Sequence, residues 1–281
     1  MKISICIPTY NKPKGLRRLL DSIAQQTYTD FEIIISDDTS DVDNIKQVLS
    51  EYSQLPIRYY HHDKPLGSPQ NWNFAIDYAQ GDYIKLMHDD DWFASDKALE
   101  RMVNGLQNEK MVFCQSKDIY AESSAVNYNA PTKAYIEKGL EHPTRLMLGN
   151  WIGAPSCVLH QKSDLRYDKN LKWFVDIDYY IILIRQLKNH ISYVPMSLVN
   201  IGVDGNRVTN ECITNMQVIG KEYFYCLKKY RRLNIIDVKE YAYLIYRFIR
   251  DYKLKSYKEL EPYYDSIFGE MIFWIYKIRK L

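Results

Sequence analysis

Long apolar runs are missing from this chain of 281 residues. Nothing approaches the roughly 20 consecutive apolar residues that span a bilayer. The stretch Ile3 to Ile7 near the start is cut by Pro8 and is too short for a signal-peptide core. Cysteine is scarce and odd in number: Cys6, Cys114, Cys157, Cys212 and Cys226 form no CxxC spacing, so neither a disulfide framework nor a zinc site is indicated. A reducing, cytoplasmic setting is expected. With 11 glycines and 10 prolines, the chain lacks the signature of a fibrous or low-complexity protein. Net charge is also small, at +2, but it hides an asymmetry. Residues 1 to 220 carry 23 basic and 27 acidic side chains, whereas 221 to 281 carry 14 and 8, with 11 of the 25 tyrosines. Basic residues confined to the tail, with no recognition motif, give no reason to expect nucleic acid as a partner.

What is present is a globular composition, 46% hydrophobic and 26% charged, long enough for a sizeable core. Short β-rich runs at Ile3–Ile7, Phe31–Ile35, Ile57–Tyr60 and Tyr83–Met87 alternate with helical spacings at Leu16–Ile23, Val42–Tyr52, Gln70–Ala79 and Ala98–Leu106. This alternation predicts an α/β fold with a mostly parallel sheet covered on both faces. Farther on, Met111–Gln115 and Pro155–His160 read as strands, 120 to 135 as loop or hairpin, and 139 to 149 and Asp176–Leu187 as helices. Residues 215 to 253 read as mostly helical and 257 to 281 as amphipathic.

In such sheets ligands collect beyond the carboxyl ends of the strands. Two of the four loops there are acidic: Asp37-Asp38 after the second strand, and Asp89-Asp90-Asp91 after the fourth. Adjacent carboxylates repel unless solvent, basic partners or a cation offset them. Mg²⁺ and Mn²⁺ suit oxygen ligands. The competing explanation is a solvated turn in which aspartate caps a helix.

Three segments carry a family resemblance: Ser4-Ile5-Cys6-Ile7-Pro8-Thr9-Tyr10-Asn11, Ile33 to Ser40, and Gly81 to Asp91. In order and spacing they resemble the inverting glycosyltransferase family two, bacterial surface-polysaccharide type, with the GT-A fold. The likeness is strong over residues 1 to 115 and thins as far as about 210. It implies a GT-A domain over 1 to 214, with a donor-nucleotide half (1–115) and an acceptor half (116–214), followed by a helical extension (215–281). By the same likeness Pro8, Thr9, Tyr10, Asn11 and Asn71 line the nucleotide pocket, Asp38 or Asp37 meets the base, and Asp89 faces the ribose. Asp90, with Asp91 in support, would hold Mn²⁺ or Mg²⁺. His88 stands where the family's first acid falls, and we expect it to be a strand-end histidine without special role, a metal ligand being the alternative.

Inverting transfer also needs a base for the acceptor hydroxyl. Asp176, in Trp173-Phe174-Val175-Asp176-Ile177-Asp178, matches the family's catalytic carboxylate, although an aspartate there could equally cap the helix. Two residues of helix rotate by roughly 200°, so Asp176 and Asp178 cannot both face one cleft. Trp151 and Trp173 are candidates to stack on a sugar ring, with core packing the commoner fate of tryptophan. Asp204 replaces a histidine of the family pattern, and Arg207 is a candidate for offsetting phosphate charge. The resemblance thus implies a single displacement from a nucleoside diphosphate sugar, UDP-linked by expectation, to a glycan or lipid-linked acceptor. The basic, tyrosine-rich stretch 221 to 281 suits peripheral contact with the inner face of the membrane. A sugar nucleotidyltransferase is the alternative enzyme, but Pro8 to Pro13 holds no glycine-rich phosphate loop. A catalytically silent binding partner is the alternative from another class. Donor sugar, linkage and oligomeric state are not legible in the sequence.

Overall fold

Every residue of Ile3–Thr9 is buried, as a strand covered on both faces requires. This strand, β1, lies between Phe31–Asp37 (β2) and Tyr83–Leu86 (β4), both parallel to it, and Ile57–His61 (β3) extends the sheet in parallel beyond β2. The connecting helices are Pro13–Ala24 (α1), Asp43–Ser50 (α2) and Gln70–Asp77 (α3). Helix α1 opens on Pro13, whose fixed φ and missing N–H suit a first turn. It buries Leu16, Leu19, Leu20 and Ile23, the face that the apolar spacing predicts. These side chains join Ile5, Ile7, Ile33 and Ile35 in the core.

The computed structural model describes residues 1–120, 126–188, 190–203, 212 and 215–278. After β4 come Asp91–Phe93 (β5), Ala98–Leu106 (α4), Met111–Tyr120 (β6), Val126–Asn129 (β7), Lys133–Glu141 (α5), Val158–Gln161 (β8), Val175–Gln186 (α6) and Ile191–Val203 (β9). The sheet runs β3-β2-β1-β4-β8-β6-β9-β5, with β7 paired to β6. The β3-β2-β1-β4 block is parallel; β8 joins β4 and β6 in antiparallel register, and β9 runs parallel to β6. Strand β7 pairs antiparallel with β6, within the stretch expected to be loop or hairpin. Two elements are not announced by the sequence pattern. Strand β9 contains Pro195, which argues against a strand, yet the register jumps from Cys114↔Val194 to Gln115↔Ser197, so the proline sits at an irregularity where no ladder N–H is needed. Strand β5 is only three residues long and pairs with β9 through Asp91↔Ile201. The helix expected over 139 to 149 lies instead at Lys133–Glu141, because Pro143 follows directly and allows only a 3-10 turn.

The chain divides into two compact units. One comprises Met1–Leu146, Asn150–Leu171 and Val175–Arg207 and holds the whole sheet. The other comprises Met147–Gly149, Lys172–Phe174 and Val208–Leu281. The second unit is built on Met216–Arg232 (α7), Val238–Asp251 (α8), Tyr257–Leu260 (α9) and Ile267–Ile278 (α10). Its core is aromatic: Phe224 stacks on Tyr264, and Phe248 meets both Tyr223 and Phe224. Asn215 and Asp237 cap α7 and α8 by accepting first-turn N–H groups. Among the described residues, no helix is long and apolar enough to cross a membrane.

Candidate active site

The turn that follows β4, His88 to Asp91, is held tightly from two sides. A side chain at Gly15 of α1 would meet the Asp89 carbonyl, and one at Gly202 of β9 would meet the Asp90 carbonyl, so both positions need glycine for this close approach. Arg18 donates to the Asp90 carbonyl at 2.7 Å while its guanidinium lies 3.6 Å from the centre of the Trp92 ring. One ligand atom each from His88, Asp90 and Asp91 comes within 4.8 Å of the others. One imidazole nitrogen and two carboxylate oxygens at that spacing fit a single divalent ion, and a ring nitrogen suits Mn²⁺ better than Mg²⁺. His88, expected at the strand end, offers one of these three atoms. The tight turn after β4 brings it back beside Asp91, whose N–H donates to the His88 carbonyl.

The charges of the cluster are distributed unequally. Lys12 forms an ion pair with Asp90 Oδ2 at 2.8 Å. Asp89, expected at the ribose, is buried and turns inward, where Oδ2 accepts from Thr9 Oγ1 at 2.8 Å and Tyr10 N at 3.1 Å. Burial, with Asp90 beside it, pushes the Asp89 carboxyl up to about 7 against the pull of Lys12 and these two donors. Asp91 Oδ2 accepts from Ser156 Oγ at 2.5 Å.

The acidic end of β2 is organised differently. Asp37 is fully buried; Oδ1 accepts from Thr39 N at 2.8 Å and Oδ2 from Tyr59 Oη at 2.7 Å. Both of its oxygens thus accept from groups of the fold. Asp38 accepts from Leu66 N and Gly67 N, one bond to each oxygen, and pins the loop that leads to α3. Each of its oxygens retains a second acceptor direction. Gly67 occupies positive φ, at +72°, in that loop. Asn71 Nδ2 reaches the Thr9 carbonyl at 3.3 Å, while its buried Oδ1 has no hydrogen-bond partner among the described residues. Pro8 and Thr9 are buried at the end of β1, and Tyr10 and Asn11 are exposed beyond it. Asn11 adopts φ +54°, and its N–H donates to Thr39 Oγ1.

Asp176 lies inside the first turn of α6 rather than before it, so it is not the helix cap. Its Oδ1 accepts from Ile177 N at 2.9 Å and its Oδ2 from Asn150 Nδ2 at 3.1 Å. Burial pushes this carboxyl up to about 6, against the backbone N–H groups of the turn. That value suits a base that must be ionised near neutrality. Asp178, on another side of the helix, is buried and is not available to an acceptor. Trp151 is 2% exposed and packs edge-on against Phe113, so it is a core residue and cannot stack on a sugar. Its position follows from Gly139, which leaves room for the indole. Trp173 belongs to the second unit, where its N–H and those of Lys172 and Phe174 donate to Glu222. Asp204 and Arg207 lie outside the described residues. By the family resemblance Asn150 to Ser156 falls among acceptor contacts, but nothing in the sequence pairs Asn150 with Asp176, Ser156 with Asp91 or Lys12 with Asp90, as lysine, asparagine and serine in loops carry no motif of their own.

The family model for glycosyl transferase family 2 matches residues 4–167, more than half of the chain. The chain belongs to glycosyl transferase family 2. The match takes in both acidic strand ends and stops before Asp176. Among curated relatives, the uncharacterized glycosyltransferase YwdF of Bacillus subtilis is 32% identical over 136 residues, which cover 48% of this chain and 50% of YwdF. The chain thus spans about half the length of that relative. The Escherichia coli protein WfgD, named as a UDP-Glc:alpha-D-GlcNAc-diphosphoundecaprenol beta-1,3-glucosyltransferase, is 25% identical over 157 residues, 56% of this chain and 59% of WfgD. Among solved structures, the Staphylococcus aureus TarS fragment crystallised with UDP-GlcNAc superposes with TM-score 0.66 at 16% identity, covering 91% of this chain and 74% of that one. The family-2 chain has the GT-A fold, a mixed α/β sheet flanked by helices with a helical C-terminal region.

Proposed function

We propose that this family-2 chain transfers a sugar from a UDP-sugar to a glycan or lipid-linked acceptor, with inversion, in polysaccharide biosynthesis. The observation that carries the reading is the convergence of His88, Asp90 and Asp91 at the carboxyl end of β4, beside the end of β1. When bound there, a divalent ion supplies Lewis-acid stabilisation of the departing diphosphate. His88, Asp90 and Asp91 would hold it, and Lys12, paired with Asp90, offsets acidic charge at the same place. The UDP donor is supported by the names of WfgD and of the TarS complex, and a lipid-linked acceptor by that of WfgD. Asp38, Asn71 and the end of β1 would meet the nucleotide. Asp176 is the base: it accepts the acceptor's proton while Asn150 holds its carboxylate in place. On this reading residues 1–115 serve the donor, 116–214 the acceptor, and 215–281 form an extension.

Contact with the inner face of the membrane would fall to α10. Ile267, Met271, Trp274, Ile275 and Ile278 lie on one side of this helix, each 41–89% exposed, while Ile272, Phe273 and Tyr276 are buried. An apolar face bearing tryptophan, on a segment with 14 basic and 8 acidic side chains over 221–281, suits an anionic lipid surface. In liposome sedimentation with anionic vesicles, replacing Ile267 and Ile278 together by glutamate should abolish pelleting; unchanged pelleting removes this role. The transfer itself is tested by UDP release from a panel of UDP-sugars, with Mn²⁺ and with EDTA. Release that ignores EDTA removes the metal, and a product of retained anomeric configuration removes the single displacement.

A further inference from the structure

Behind the acidic turn lie a hydroxyl and an ammonium that no part of the proposed chemistry has used. Ser156, in the 3-10 turn Pro155–Cys157, has no exposed surface. Its Oγ donates to Asp91 Oδ2 at 2.5 Å and accepts the His88 N–H at 3.1 Å. A single hydroxyl therefore joins two of the residues whose ligand atoms converge. Lys85 of β4 likewise has no exposed surface, and its Nζ donates to the Ser156 carbonyl. Both of its neighbours on the strand, Ile84 and Leu86, are apolar and buried. An ammonium buried in a strand carries a desolvation penalty, so chain packing by itself gives no reason for lysine at this position. Burial pulls the pKa of the Lys85 ammonium down, and Cys114, Cys157 and Asp91 oppose that pull.

We infer that Ser156, anchored from below by Lys85, is a positioning residue for the divalent ion, fixing the Asp91 carboxylate and the His88 backbone before the ion arrives. The inference rests on the metal reading proposed above. The hydrogen bond to Oδ2 fixes the rotation of the Asp91 carboxylate and so sets where Oδ1 points. The bond from His88 N holds the other end of the turn against the same hydroxyl. Ordering the ligands beforehand removes part of the entropy that binding would otherwise lose. Partners of this kind behind metal ligands typically matter by about 10–100-fold in metal affinity.

The test is Mn²⁺ binding to the full chain, followed by the electron paramagnetic resonance signal of free Mn²⁺, with the metal-free melting temperature measured alongside. Ser156→Ala should weaken Mn²⁺ binding about 10-fold or more while the metal-free protein still melts cooperatively. Ser156→Thr, which keeps the hydroxyl, should restore most of the affinity, and Lys85→Met should shift it in the same direction as Ser156→Ala. If Ser156→Ala does not fold, Ser156→Cys, similar in size but a weaker donor, takes its place with the same expectation. A folded Ser156→Ala or Ser156→Cys that binds Mn²⁺ as the unaltered protein does would overturn the positioning role. Absence of Mn²⁺ binding in the unaltered protein would instead remove the metal reading, and the positioning role with it.

Discussion

Two strands of the parallel block end in aspartates, β2 at Asp37 and Asp38 and the turn after β4 at Asp89 to Asp91. At the end of β2 the carboxylates accept from groups of the fold itself: Thr39 N and Tyr59 Oη for Asp37, Leu66 N and Gly67 N for Asp38. At the end of β4 Asp89 is used in that manner by Thr9 and Tyr10, and Asp91 by Ser156. Asp90 meets a lysine, Asp91 a serine, and both keep a ligand atom close to that of His88. An acidic cluster is therefore a site or a structural tie according to which donors the neighbouring elements bring to it. Repulsion within the sequence looks the same in both places; the tertiary partners differ.

The largest effect expected is at Asp176, the base of the proposed transfer. Asp176→Asn should lower turnover by about 10²–10⁴, the usual range for removing a general base, with Mn²⁺ and UDP binding unchanged in calorimetry. A variant that keeps most of its turnover assigns the proton transfer elsewhere. Next in size, Asp90→Ala should weaken Mn²⁺ binding by more than the roughly 100-fold that marks the loss of an outer partner. Equal Mn²⁺ affinity in that variant would erase the distinction between the two strand ends. Asp37→Asn should do the reverse. The amide keeps one acceptor oxygen and sets an N–H group where the other accepted, costing about 1–3 kcal/mol in chemical denaturation, while Mn²⁺ affinity stays as it was.

The parallel block and the position of both clusters are legible from alternation alone, because buried strands read as unbroken apolar runs and helices keep one apolar face. Ile3–Thr9 and Leu16, Leu19, Leu20 and Ile23 are examples. What periodicity cannot carry is set by contacts distant in sequence. Pro195 is tolerated in β9 only because the register shifts there. His88 offers a ligand atom beside those of Asp90 and Asp91 because the chain doubles back within four residues, and Trp151 is core because Gly139 makes room for it. Ser156 is 65 residues from Asp91 in the chain, and nothing about a lone serine announces that pairing.

The smallest expected effects concern the pH dependence of Asp176, and they separate its carboxylate from those at the two strand ends. A base must be ionised to accept a proton, and this carboxyl is held up at about 6 by burial. The rate under subsaturating substrate should therefore be level above that pH and fall about tenfold per unit below it. Asn150 bears directly on where the fall begins. Its Oδ1 accepts from Ile152 N and Gly153 N, which fixes the orientation of the amide and leaves Nδ2 to donate to Asp176 Oδ2 and the Gly153 carbonyl. A donor to the charged form favours it. Asn150→Ala should therefore move the acidic limb toward higher pH while the plateau rate is largely kept. Asn150→Asp, which sets a second carboxylate beside the first, should move the limb farther in the same direction. A limb that stays in place in both variants would show that Asn150 shapes only the Gly153 turn and leaves the base alone.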